Sequence, residues 1–216
     1  MCVEGALTFK PDQSNTRLQS NSYGGFFVWK LRDIVVAAIL SVVFGVVYMG
    51  WDYTTSLLPQ TLSPVIQGLE NGIWWMAAGL VSYIVRRPGA AFFSEVVSAF
   101  FEFAFGSPYG TGAIISGLVQ GAGAEAGLAL GGWRRYGLGM MALSGAAGGI
   151  GNTLQWYFQY GGDKYSAGMA VGYLVTTMLS GAVLAGMVPK WIGDALNRTG
   201  VLRNFEIGRQ SRAVTK

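Results

Sequence analysis

The sequence predicts an all-α membrane protein, a bundle of six transmembrane helices with the N and C termini both on the cytoplasmic side. Three observations predict it. Hydrophobic residues make up 51% of the 216 residues and charged residues only 12%, with a mean hydropathy of +0.39, whereas a soluble domain carries about 25% charged residues. Six apolar stretches, at 34–50, 65–85, 90–105, 112–131, 137–160 and 167–189, approach the roughly 20 residues that cross a hydrocarbon core about 30 Å thick. The basic residues also fall on one side. Lys10, Arg17, Lys30 and Arg32 precede the first stretch, Arg86 and Arg87 occupy the second loop, and Arg134 and Arg135 the fourth. Lys190, Arg198, Arg203, Arg209, Arg212 and Lys216 follow the last stretch, which leaves Lys164 alone opposite. An excess of Lys and Arg marks the cytoplasmic side, and an even number of spans returns both ends to it.

Three parts follow from this pattern. Residues 1–29 are polar and mixed, without a basic start and apolar core, so they read as a mobile cytoplasmic tail rather than a cleavable signal peptide. Residues 30–192 form the transmembrane domain and 193–216 a basic cytoplasmic segment. The first span carries Ala37, Ser41 and Gly45 at intervals of four, a ridge of small residues that lets another backbone approach closely. With no strongly polar group on that span, the ridge is open to a partner helix. On the second span Glu70, Trp74 and Ala77 share a face; on the short third, Glu95, Ser98 and Glu102 form one stripe. The fourth holds Gln120, Glu125 and the spaced pairs Gly117/Gly121 and Gly123/Gly127. On the fifth, Gly148, Asn152, Gln155, Trp156 and Gln159 line up at intervals of three and four, beside Gly145/Gly149. These glycine ridges read as packing inside the bundle. Trp29, Trp51, Trp133 and Trp191 stand at span ends, where amphipathic rings anchor in the interface.

Composition also excludes. The chain has one cysteine, Cys2, and no histidine, so an intramolecular disulfide, a thiolate or imidazole metal site and a Ser-His or Cys-His nucleophile are all ruled out. No cofactor is called for. The net charge of +4 is spread between spans rather than gathered on a water-facing patch, which argues against nucleic acid.

The intramembrane glutamates carry the functional reading. A charge at mid-membrane costs about 2.5–3.5 kcal/mol, so Glu70, Glu95, Glu102 and Glu125 must face the interior or a wet cavity. At about 1.5 Å per residue, Glu70, Glu102, Gln120 and Asn152 fall roughly 18–22 Å above the inner face. Four helices thus bring carboxylates and amides to one layer in the outer half. With Trp74, Gln155 and Trp156 they suit a small, flat, cationic or amine-bearing ligand that donates hydrogen bonds and stacks on indole. Glu95 and Glu125 fall lower, about 10 Å from the inner face. They read as structural, each pairing with an amide or with Arg86 or Arg87, and Gln159 joins them as a second-tier polar residue.

Several segments together resemble a known family. YIVRRPGAA at 83–91 leads into Ser94 and Glu95, followed by GLVQGAGAEA at 117–126, LSGAVLAG at 179–186 and TGVL at 199–202. The chain from about 34 to 208 is similar to the YkoE-type substrate-binding (S) components of energy-coupling-factor (ECF) ABC transporters. The resemblance implies an S-component bundle in the plasma membrane of a prokaryote. Such a bundle captures thiamine or its hydroxymethylpyrimidine precursor from outside, with a transmembrane coupling protein (T component) and two ABC ATPase domains as partners. It implies that the coupling protein touches span 1, here at Ala37, Ser41 and Gly45, and it matches Glu95, Gln120 and Glu125 to family motifs. The chain has no Walker motif, so ATP hydrolysis falls to the partners and the chain is not expected to be an enzyme. Two other readings stay open on the residues: a self-sufficient carboxylate-lined transporter or channel for a small cation, and a membrane-embedded enzyme with a carboxylate-only metal site.

Overall fold

The computed structural model describes residues 28–57 and 62–214. All regular structure among them is helical: α1 (Leu31–Ser56), α2 (Met76–Val85), α3 (Ala90–Ala104), α4 (Thr111–Leu130), α5 (Leu138–Gln159), α6 (Ala167–Ser180), α7 (Val188–Arg198) and α8 (Glu206–Val214). A π-helical stretch, Gly181–Met187, joins α6 to α7, so one continuous helix runs over Ala167–Arg198. That helix, α1 and α4 are long and apolar enough to cross a membrane. The tail expected at 1–29 lies, but for Val28 and Trp29, outside the described residues.

α1 inverts the pattern of a soluble surface helix. Its buried stripe is small and polar: Asp33, Ala37, Ser41, Gly45, Tyr48, Asp52 and Thr55. Its exposed face is aliphatic, with Val35, Ile39, Val43 and Val46. Hydrocarbon solvates that outer face, while close packing and internal hydrogen bonds hold the inner one. The ridge of Ala37, Ser41 and Gly45 is therefore not a free docking surface. It is buried within the chain, Ala37 among Val81, Val85 and Ala90 and Gly45 against α3. A Cβ on Gly45 would come within 2.7 Å of the Phe101 Cβ and 2.9 Å of the Ser98 carbonyl oxygen.

The stretch 65–85, expected as one helix, is broken. A short turn of helix, Pro64–Gln67, is followed by the 3-10 stretch Asn71–Trp75, and α2 starts afresh at Met76. The break lies against α6. A Cβ on Gly72 would stand 2.5 Å from the Ser180 carbonyl oxygen, so only glycine permits this approach. Two of the freed backbone groups are satisfied by one side chain: the Ser180 hydroxyl donates to the Leu69 carbonyl (2.7 Å) and accepts from the Gly72 N–H (2.9 Å). Irregular backbone is tolerated at membrane depth where neighbours supply such partners.

Two further boundaries differ from expectation. The last helix continues past 189 to Arg198, because its sequence turns polar before the helix ends. The segment 193–216 is not a separate appendage: the limit at 192 falls inside α7, and Leu202 and Ile207 belong to the same core as Trp75, Tyr83, Ile84, Leu128 and Met141. The glycine pairs of α4 pack internally, Gly117 and Gly121 on α3 and Gly123 and Gly127 on α5. Arg86 and Arg87, between α2 and α3, sit at the end of the bundle where α8 folds back. Arg87 lies 3.9 Å from Asp33 and 3.5 Å from Glu206, and Arg86 donates to Gln210.

Candidate functional site

The helices line a cavity of about 340 Å³ towards the opposite end, where Leu62, Pro64 and the connections after α3 and after α5 gather. Glu70, Trp74, Glu102, Gln120, Asn152 and Trp156 all line it. Tyr109, Tyr160, Tyr165 and Tyr173 add phenols to the wall, and among the described residues no lysine or arginine is part of it.

Each polar group has an identifiable support. Gln120 of α4 donates to the Asn152 side-chain oxygen of α5 (2.7 Å), and Asn152 donates to the Tyr173 hydroxyl of α6 (3.1 Å). The same hydroxyl accepts from Asn71 (2.8 Å), which also reaches Thr177 (3.0 Å). This chain of amides ties four segments around one wall. Trp156 stacks on Tyr173, with ring centroids 4.1 Å apart, and on Tyr165 at 5.7 Å. Trp74 meets Tyr109 edge to face at 6.3 Å and donates its indole N–H to Asp52 (2.7 Å). Glu70 precedes the 3-10 stretch, half-buried, and its carboxyl group has no partner among the described residues. Depth counted along an unbroken helix does not apply to it.

Glu95 and Glu125, read as a structural pair at one level, separate. Both receive the free N–H groups of a helix start, where the helix dipole favours negative charge. Glu125 of α4 accepts from Gly89 (2.6 Å), Ala91 (3.0 Å) and Phe92 (3.3 Å) at the head of α3, and from the Trp133 indole (2.5 Å). Glu95 accepts from the Ala78 N–H (3.2 Å) at the head of α2 and from the Tyr48 hydroxyl (3.2 Å), but it also lines the cavity. Arg86 and Arg87 are not among these donors. Gln155 does not line the cavity. Its side chain accepts from Ser116 (2.7 Å) and donates to the Gly112 carbonyl and to Gln159 (3.0 Å each), so it braces α5 against α4. Gln159 is exposed beyond it.

Sequence reasoning missed Asp52, Asn71, Ser107 and Tyr173. Asp52 lay past the apolar limit of 50, yet it continues the buried stripe of α1 one turn beyond Tyr48, and that spacing was its signal. Tyr173 likewise shares a buried stripe with Thr177 and Ser180.

A cavity lined by carboxylates, amides and aromatic rings in a helical bundle has the make-up of a small-solute site. Comparison with known proteins narrows the class. Residues 32–151 match the family described as the permease component of the ABC-type cobalt transport system. The chain is 34% identical over 188 residues to a Bacillus subtilis (strain 168) protein named as the HMP/thiamine permease protein YkoE, covering 87% of this chain and 94% of that protein. It superposes with a TM-score of 0.83 on the crystal structure of an S-component of an ECF transporter, at 34% identity, covering 87% of this chain and 95% of the other. The chain belongs to this family: it is a YkoE-type S component of the ECF transporters.

Proposed function

We propose that the protein is the substrate-binding subunit of an ECF importer, and that its cavity captures thiamine or hydroxymethylpyrimidine (HMP) from outside the cell. It crosses the plasma membrane of a prokaryote six times with both termini in the cytoplasm. A T component and two ABC ATPases supply the transport work, and this chain hydrolyses no ATP.

The observation that carries the reading is the cavity itself. Its volume of about 340 Å³ falls within the range of small-molecule sites, about 300–1,000 Å³. Glu70 and Glu102 offer acceptors to an exocyclic amine, and the Trp74, Trp156 and Tyr173 rings offer flat apolar contact to a pyrimidine. Transition-metal cargo fits less well. Such ions favour imidazole and thiolate ligands, and no histidine is in the chain.

Tryptophan fluorescence titration of the detergent-solubilised protein tests this. Thiamine or HMP is expected to bind, and Glu102→Gln and Trp156→Ala are each expected to weaken it. Unchanged affinity in both variants would place the ligand elsewhere. Uptake into liposomes by this chain alone, without ATPases, would support a self-sufficient transporter instead.

A further inference from the structure

Asp52 is fully buried near the end of α1, where α1 faces α3 and the turn after it. One of its oxygens accepts the Trp74 indole N–H (2.7 Å); the other lies 2.5 Å from the Ser107 hydroxyl. That hydroxyl is also 3.3 Å from a Glu102 carboxyl oxygen and accepts the Tyr109 N–H (3.3 Å). A serine hydroxyl has one proton to donate and two lone pairs. If it donates to Asp52, the contact with Glu102 closes only when Glu102 donates. If it donates to Glu102, Asp52 must donate instead. Either way, closing both contacts takes one proton beyond the hydroxyl's own on the two carboxyl groups.

Among the described residues nothing else on the walls neutralises them: the cavity lining contains no lysine or arginine. The other titratable groups facing it are Glu70, Glu95 and the phenols of Tyr109, Tyr160, Tyr165 and Tyr173, with Tyr48 behind Glu95. Glu95 is supplied with donors by Tyr48 and Ala78.

We propose that Asp52 is a positioning residue of the ligand site: it fixes Trp74 and, through Ser107, keeps one proton on the Asp52–Glu102 pair, which a cationic ligand displaces. The proposal rests on the reading of the cavity as a site for a pyrimidine-type vitamin. Charge balances. The empty pair carries one proton and one negative charge; a permanent cation enters, the proton passes to water, and two carboxylates then face one positive charge. A neutral aminopyrimidine brings no charge and leaves the proton in place. Thiamine, with its thiazolium, and neutral HMP therefore differ in proton release.

Calorimetric titration of the full-length protein in two buffers of equal pH and different ionisation heat counts the protons. The expected result is about one proton released per thiamine bound and none per HMP, with thiamine affinity rising up to about tenfold per pH unit where release is complete. In Asp52→Asn, or in Ser107→Ala if that variant does not fold, the count per bound thiamine falls to zero, whatever the affinity. Binding of both ligands by the wild type without proton release overturns the proposal while the site reading stands, and so does undiminished release in the variant. Binding of neither ligand overturns both.

Discussion

The two ends of the bundle use the same residue types to opposite effect. At the end holding Arg86 and Arg87, charged groups meet partners from the chain. Glu125 receives three backbone N–H groups and an indole, Arg87 lies between Asp33 and Glu206, and Asp194 receives Tyr83 and Lys190 at 2.5 Å each. At the other end Glu70, Glu95 and Glu102 face a cavity without a cation in its wall among the described residues. An intramembrane glutamate is thus not by itself a functional residue. What separates Glu125 from Glu102 is whether the chain already saturates the carboxylate.

That contrast is open to test by substitution. The largest effect is expected from Glu125→Ala. Hydrogen bonds to a charged group contribute about 1.5–3 kcal/mol each, and losing the acceptor for four donors should cost more than roughly 3 kcal/mol. Thermal melting in detergent should show a large loss, while the molecules that fold keep their ligand affinity. Glu102→Gln should do the reverse, with little change in melting and a roughly 10- to 100-fold loss of affinity for thiamine or HMP, the equivalent of one charge-assisted hydrogen bond. If both variants lose stability and neither loses affinity, the two ends do not differ as described.

Gly45→Ala sharpens the assignment of the small-residue ridge. The new methyl meets α3, so it should destabilise the isolated chain by about 1–3 kcal/mol through overpacking. A ridge that served only a partner would leave the melting of the isolated chain unchanged. The smallest effect is expected from Glu206→Gln, below about 1 kcal/mol. Arg87 keeps Asp33 as a neighbour, and Glu206 is less buried than Arg87.

Much of this was legible in the sequence, and the failures share a cause. Convergence of Glu102, Gln120 and Asn152 followed from counting residues along spans, because a regular rise fixes depth, whereas Glu70 reaches the same cavity from irregular backbone. The count failed where the helix is not regular: the break at 68–75 and the polar extension to Arg198 are set by contacts with α6 and α2, which no local pattern reports. The direction of the α1 ridge was misread for a related reason. Small residues announce a close approach but not by whom, and α3 is the neighbour that fills it. Asp52 escaped because the apolar limit of the span was taken as the limit of the buried face.

Mass spectrometry of the small molecules that co-purify with the wild-type protein and with Glu102→Gln shows what the cavity holds. An aminopyrimidine, thiamine or HMP, is expected to be retained by the wild type and depleted in the variant. A wild-type preparation that retains some other class of solute, or an aminopyrimidine held equally by both proteins, would contradict this.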